Sequence, residues 1–127
     1  MARPPAKELT QRELEVMHVF WRSGEATAQE ARDRLAEAGR DLSYPTVANL
    51  ARALLEKGFL AQTNAERPFR YRPGRSYEDV SGRLLGEVVR RVFGGSREEL
   101  LVRLVGQRRL TARERSVLEA ILKEQGQ

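Results

Sequence analysis

The sequence predicts a mainly α-helical fold with one small β-hairpin. Four helix starts are marked by Thr10, Thr27, Ser96 and Thr111, each followed three residues later by a glutamate. In this pairing, side chain and backbone satisfy each other's unpaired hydrogen-bonding groups at the helix N-terminus. Each start precedes a stretch in which apolar residues recur at helical spacing. Residues 69 to 72 instead alternate aromatic and basic residues, which is the pattern of a strand with one solvent-exposed face.

The first part of the chain contains three predicted helices followed by the hairpin. The helices cover residues 11 to 22, 28 to 38, and 44 to a left-handed stop at Gly58. Pro45 falls in the first turn of the third helix, where its missing N–H costs nothing. The hairpin strands are residues 60 to 62 and 69 to 72, with Asn64 near the bend, and residues 24 to 27 are a candidate third strand. This order is that of a winged helix-turn-helix, in which the later helix of the pair enters the DNA major groove.

The remaining residues predict three more helices, at 76 to 93, 97 to 106 and 111 to 124. Such short helices bury too little surface alone. They either pack on the first domain or meet another copy of the chain, and we favour self-association. We therefore predict a winged-helix domain at 1–75 and a helical dimerisation domain at 76–127. The predicted dimer contacts are Val80, Leu84, Val88, Val92, Leu100, Leu101, Leu104, Leu118, Ile121 and Leu122.

The composition restricts the function classes. A net charge of +5 and a pI of about 10.2 point weakly to a polyanionic partner. With no cysteine and one histidine, His18, we expect no disulfide, no metal site and no cofactor. Glu13 and Glu15 are interpreted as helix-start and surface acids, and Trp21 as a core residue, so the chain offers no enzyme active site. The sequence contains neither a membrane-spanning run nor a secretory signal, so we expect a cytoplasmic protein.

The water-facing side of the third helix carries Thr46, Asn49 and Arg52. Asparagine pairs with adenine, arginine pairs with guanine, and a threonine methyl group contacts that of thymine. We predict that these three side chains read bases, although a solvated face of short side chains is the alternative. Ser43 and Tyr44, at the start of the same helix, are candidate phosphate contacts through the helix dipole.

The hairpin supplies Arg67, Arg70 and Arg72. Guanidinium groups on an extended ribbon lie along phosphates or enter a minor groove. The alternative is protection of an exposed sheet edge against aggregation, and both roles can hold together. Phe69 and Tyr71 are assigned to packing beneath this hairpin.

Several stretches resemble the penicillinase-repressor family of winged-helix transcription factors, which includes the methicillin-resistance repressor. They are LTQRELEVMHVFWRSGEATAQEARDRL at 9–35, PTVANLARALLEKGFL at 45–60, RPFRYRP at 67–73, VFGGSREELLVRLV at 92–105 and LTARE at 110–114. The resemblance covers nearly the whole chain and implies an operator of inverted repeats. The family's leucine and arginine in the third helix fall here at Ala51 and Ala53, with Arg52 beside them.

The resemblance also implies partners and signals. Copper-responsive members carry a C-terminal cysteine cluster, which this sequence lacks. Members that answer β-lactams are cut in their dimerisation helices by a membrane-bound sensor protease, after an asparagine. The matching stretch LLVRLVGQ, residues 100–107, contains no asparagine. A regulatory protease is therefore a partner implied by family membership only.

Together these observations predict a homodimeric, sequence-specific DNA-binding repressor. Two alternatives remain open from the sequence. In the first, the chain is a winged-helix protein-interaction module whose third helix docks on another protein. In the second, it is an architectural DNA binder without sequence preference, which would show salt-dependent but not sequence-dependent affinity.

Overall fold

The computed structural model describes residues 8–126. Two compact units divide the chain, one ending at Ser81 and the other beginning at Gly82, and each is described by itself. The division falls inside a helix, six residues beyond the boundary predicted from sequence, and that boundary stays a prediction. The elements are α1 Gln11–Ser23, β1 Ala26–Thr27, α2 Ala28–Glu37, α3 Tyr44–Lys57, β2 Leu60–Gln62, β3 Arg70–Pro73, α4 Tyr77–Arg91, α5 Arg97–Gly106 and α6 Ala112–Gln125.

The helix starts follow the capping pattern of the sequence. Reciprocal capping boxes form at Thr10, Thr27 and Thr111, where the threonine accepts from the glutamate backbone and the glutamate accepts from the threonine backbone. At Ser96 only half of the box forms. The Ser96 hydroxyl accepts from the Glu99 backbone, but the Glu99 carboxylate lies 3.9 Å from Arg103, one turn along α5. A charged neighbour at i+4 thus competes with the cap for this carboxylate.

Helix α3 begins and ends where the sequence predicts. The Ser43 side chain accepts from the backbone N–H of Thr46, and Pro45 lies in the first turn. Gly58 ends the helix with φ of +87°, a conformation that favours glycine because it has no Cβ. The Phe59 N–H then bonds the Leu54 carbonyl at 2.9 Å, which directs the chain into β2.

The three strands form one antiparallel sheet in the order β1-β3-β2. Ala26 and Gln62 both pair with Tyr71 from opposite sides, and Leu60 pairs with Pro73. The candidate third strand is therefore confirmed, in the shorter form Ala26–Thr27. The predicted second hairpin strand is displaced by one residue, because Arg70 rather than Phe69 makes the first ladder contact.

The core of the first unit lies between α1, α2, α3 and this sheet. Its largest fully buried side chains are Phe20, Met17, Leu54, Val16 and Val47. The ring of Tyr71 meets that of Phe20 edge-on at 6.3 Å, which joins the sheet to α1. Trp21, which the sequence assigned to the core, is half-buried, and α2 ends one residue earlier than predicted.

An aromatic cluster connects α1 to the start of α4 within the first unit. The Trp21 indole donates from Nε1 to the Arg75 carbonyl at 2.9 Å, and its ring lies 5.3 Å from that of Tyr77. His18, which had no partner in the sequence, lies 5.4 Å from the Trp21 ring and 6.1 Å from Tyr77. Val80, on the next turn of α4, is 4% exposed. The prediction that Val80 is a dimer contact is therefore corrected, because its side chain is already buried within the single chain.

The second unit contains the rest of α4, together with α5 and α6. Gly94 and Gly95 turn the chain between α4 and α5 with positive φ angles, and α4 ends two residues earlier than predicted. Within residues 82–126 no side chain is buried. None of the helices in residues 8–126 has the length and apolar character that a membrane crossing requires.

Candidate nucleic-acid interface

The exposed side of α3 carries the residues predicted to read bases. Asn49 and Arg52 are exposed and Thr46 is half-buried, while Val47 and Ala51 point into the core. The helix is therefore oriented as its apolar spacing predicts. Within residues 8–126, α1 and α2 pack against the opposite face, and the outward face of α3 is open to a ligand.

The start of α3 engages two of the predicted hydroxyl groups with each other. The Ser43 hydroxyl donates to the Thr46 hydroxyl oxygen at 3.0 Å and accepts from the Thr46 N–H at 3.3 Å. The Thr46 hydroxyl retains its own hydrogen for a base or phosphate. Tyr44, the first residue of the helix, is 48% exposed, so its phenol is also accessible.

A cleft of about 560 Å³ separates α3 from the hairpin, which we call the wing. Its walls bring Tyr44 and Arg52 of α3 opposite Arg67 of the wing. Among the described residues that line it there is no aspartate or glutamate, so its two guanidinium groups give it a positive potential. The lining residues are Thr27, Ala28, Gln29, Tyr44, Ala48, Arg52, Leu55, Gln62, Arg67, Pro68, Phe69 and Tyr71.

The wing presents its three arginines differently. Arg67 is exposed near the tip, with its guanidinium 5.4 Å from the centre of the Phe69 ring. Arg72 is exposed on β3 and donates weakly to the adjacent Pro73 carbonyl at 3.5 Å. Phe69 is half-buried and Tyr71 is buried, in agreement with the packing role that the sequence predicted.

Arg70 is held by carboxylates of the protein itself. Its Nε donates to Glu25 at 2.8 Å, and its Nη1 lies 3.7 Å from Glu30. The hydrogen bond that Arg70 donates to Glu25 raises the pKa of Arg70 above its ordinary value. Two carboxylates around one guanidinium leave a local charge of −1, which opposes the approach of a phosphate. The sequence did not reveal this because Glu25 is 45 residues from Arg70.

Asn64, which the sequence placed near the bend, organises the wing tip through hydrogen bonds that the sequence analysis did not identify. Its amide donates to the carbonyls of Glu66 at 2.9 Å and Pro68 at 3.1 Å. Its carbonyl oxygen accepts from the Arg70 N–H at 2.7 Å. One side chain thus closes the loop that carries Arg67. The available signal was the tendency of asparagine to bond its own backbone a few residues onward.

A buried ion pair fixes the far end of α3. Lys57 donates to both carboxylate oxygens of Glu13, at 2.8 and 3.0 Å, and to the Glu8 carbonyl at 3.0 Å. Glu13 is 4% exposed, so its interpretation as a surface acid is wrong, although it does cap α1. Burial raises the pKa of Glu13, and the opposing bonds from Lys57 and Thr10 bring it below its ordinary value.

The described residues contain no group of side chains suited to binding a metal ion. Within residues 8–126 no three histidine, aspartate or glutamate side chains come together in a way that could hold a metal ion. The ionisable side chains on the cleft walls are instead arginines and tyrosines. The arrangement is therefore suited to binding an anionic partner through hydrogen bonds and charge.

The chain is similar to one protein family and to solved structures. A family model described as penicillinase repressor matches residues 9–124. The solution structure of the DNA binding domain of the repressor BlaI superposes with a TM-score of 0.50 at 28% identity, over 62% of this chain and 93% of that one. The oxidized form of MarR from E. coli gives a TM-score of 0.46 at 18% identity, covering 92% and 75%. No match was found among curated protein sequences.

Proposed function

The chain belongs to the penicillinase repressor family, and from this premise we propose that it binds an inverted-repeat operator as a homodimer. Members of this family are DNA-binding transcriptional repressors and not enzymes. The observation that carries the finer proposal is the outward face of α3 beside the positively charged cleft. In this proposal two winged units occupy two half-sites related by the two-fold axis of the dimer.

Base reading is assigned to α3. Asn49 would pair with an adenine edge, Arg52 with a guanine edge, and the Thr46 methyl group would contact thymine. The small side chains of Pro45, Ala48 and Ala53 support this assignment, since they let the helix approach the floor of the groove.

Phosphate contacts are assigned to the wing and to the start of α3. Arg67 and Arg72 are exposed, and neither lies within 4 Å of a carboxylate of residues 8–126. Arg70 belongs to the proposed set with a weaker contribution, because it must share its guanidinium with Glu25. Ser43 and Tyr44 would meet a phosphate near the positive end of the α3 dipole.

Dimerisation is assigned to the second unit. Large apolar side chains remain exposed there, including Leu104 at 67% and Ile121 at 46%. Many exposed large apolar side chains in one unit are typical of a protein interface. The proposed contacts are Leu84, Val88, Val92, Leu100, Leu101, Leu104, Leu118, Ile121 and Leu122.

Two further parts of the proposal rest on family membership. We place the protein in the cytoplasm, where the DNA is, and a sensor protease stays a predicted partner. The stretch that would carry its cut lies within α5 and the residue after it, Arg97–Gly106 and Gln107, and contains no asparagine.

The first experiment is selection of bound duplexes from a random DNA library at about physiological salt, followed by sequencing. We expect an enriched inverted repeat, which would also supply the operator for later measurements. Binding without an enriched motif would favour the architectural alternative. Absence of DNA binding would contradict the proposal and favour docking of α3 on a protein.

The role of Asn49 is tested on the selected operator. Asn49→Ala is expected to cost about 1–3 kcal/mol and to relax discrimination at one base pair. Glu56→Ala, at another exposed position of α3, is the matched control and should preserve that discrimination. An equal loss of affinity on unrelated DNA would show that Asn49 reads no base.

A further inference from the structure

The excess positive charge of the chain lies mostly outside the winged unit. Residues 1–81 contain 13 lysines and arginines and 12 aspartates and glutamates, whereas residues 82–127 contain 10 and 6. The formal charges are therefore +1 and +4, which together give the +5 of the whole chain. Long-range attraction to a polyanion such as DNA depends on such excess charge, and the second unit contains most of that charge.

Four arginines of the second unit are concentrated where α5 ends and α6 begins. Arg108 and Arg109 lie in the connection, and Arg113 and Arg115 lie in the first turn of α6; all four are exposed. We call residues 108–115 the basic segment. Among residues 8–126, no carboxylate lies within 4 Å of any of its guanidinium groups. Its single acid, Glu114, accepts from the Thr111 N–H at 2.9 Å and so serves as a cap.

The position of two of these arginines is unfavourable for the free protein. Cations near a helix C-terminus are stabilised by the helix dipole, and cations near the N-terminus are destabilised. Arg108 and Arg109 follow the C-terminal end of α5, where a positive charge is favourable. Arg113 and Arg115 occupy the positive end of α6, where Glu114 is the one acid of the first turn. A bound anion would relieve this repulsion.

We propose that the basic segment is a second DNA-contacting surface, which binds phosphates without reading sequence. The proposal rests on the proposed function, since it assigns the segment to the same DNA. Arginine forks match phosphate oxygens, and each phosphate they neutralise releases condensed counterions. The segment contains no aromatic residue, and its one large apolar residue, Leu110, is half-buried. Nothing in it is therefore suited to insertion into a lipid surface.

The test uses the full-length chain and two variants with equal loss of charge. In the first, Arg108, Arg109, Arg113 and Arg115 are replaced by glutamine; in the control, Arg83, Arg90, Arg91 and Arg97 are replaced in the same way. None of these eight arginines pairs with a carboxylate of residues 8–126. Affinity is measured against salt concentration on the selected operator and on a shuffled duplex of equal length.

We expect the first variant to reduce the steepness of log K against log salt by about 2–4 for each protomer, at about 0.9 for each phosphate contact, and by about twice as much for the dimer. The loss should be the same on both duplexes, so that the ratio of specific to non-specific affinity is preserved. The control variant should lose clearly less. An unchanged slope in the first variant, or an equal loss in both variants, would overturn the proposal.

Sedimentation of each variant establishes that the oligomeric state is preserved. If the fourfold variant changes it, Arg108→Gln with Arg109→Gln replaces it, since both residues lie outside α5 and α6 and should lower the slope by about 1–2 for each protomer. Failure of the proposed function gives a different result, because the wild-type chain would then select no operator. If the wild-type chain selects an operator and the variant has the same affinity and salt slope, the role of the basic segment is overturned and the proposed function is not.

Discussion

The two units of this chain differ in how completely each can fold by itself. In the winged unit, apolar side chains from three helices and a sheet form a closed core, and even the acid Glu13 is buried with its partner. In the second unit no described side chain between residues 82 and 126 is buried. Both have helical apolar spacing and well-marked caps. The difference shows that good helix signals do not supply a core, which requires another surface to face.

The units also differ in formal charge, which is +1 for the winged unit and +4 for the second unit. The unit with the proposed base-reading helix is almost neutral, because its 12 aspartates and glutamates nearly balance its 13 lysines and arginines. The unit with no base-reading helix is strongly basic. We infer a division of labour in which the winged unit provides discrimination and the second unit provides sequence-independent attraction and the partner contact.

The largest expected effect comes from placing a charge on the exposed apolar face of α6. Ile121→Glu should convert the dimer to a monomer, because two buried glutamates in one interface cannot be paired. Loss of the second half-site should weaken operator binding by about 10²–10⁴-fold. Sedimentation gives the mass, and fluorescence anisotropy with labelled operator gives the affinity.

Ser116→Glu is the matched control for this charge. Ser116 is exposed on α6 and lies about 140° around the helix from Ile121. It should remain dimeric; because Ser116 adjoins the basic segment, the oligomeric state and not the DNA affinity is the control readout. Dimeric Ile121→Glu protein would mean that the exposed face of α6 is not the interface, and would weaken the contrast between the units.

The next largest effect concerns the folding stability of the winged unit. Glu13→Gln leaves Lys57 with an unbalanced charge in a mostly buried site, and is expected to lower the free energy of unfolding by about 1–3 kcal/mol. Urea denaturation followed by fluorescence of Trp21, the one tryptophan of the chain, reports on this unit. Glu15→Gln is the control, because its pair with Arg40 is more exposed and should contribute about 0–1 kcal/mol.

The same pair predicts a pH dependence. The folded-state pKa of Glu13 lies below its ordinary value of 4.5, so the charged form stabilises the folded state. This contribution is complete above the ordinary pKa and disappears as the pH falls through the lowered one. The stability difference between wild type and Glu13→Gln should therefore shrink below about pH 4.5. A difference that is constant down to acid unfolding would contradict the assignment.

The smallest effect distinguishes two arginines of the wing. Arg72→Ala should lower the salt slope of DNA binding by about 1 for each protomer, as expected for one phosphate contact per winged unit. Arg70→Ala should lower it by less than half as much, because Glu25 and Glu30 already engage that guanidinium. Glu25→Gln should increase affinity for every duplex. Equal slopes for the two alanine variants would mean that the carboxylates release Arg70 when DNA binds.

The sequence predicted most of the local structure because its signals are local. A threonine and a glutamate three residues apart satisfy each other at a helix start, and a glycine ends α3 in a conformation that other residues avoid. The apolar spacing of α3 fixes which side faces the core, so the exposure of Asn49 and Arg52 followed from the sequence too. Their roles in reading bases remain predictions that depend on DNA.

The tertiary structure decided which charged groups are paired. Glu13 and Lys57 are 44 residues apart in sequence, and Glu25 and Arg70 are 45 apart, so no local pattern joins them. The burial of Val80 and the loop closed by Asn64 likewise depend on contacts between segments that the local pattern does not specify. The sequence by itself therefore determined the elements and their faces, through contacts one helical turn or one strand pair apart. Folding alone determined which arginines stay free to meet an anion, because burial and pairing depend on distant segments.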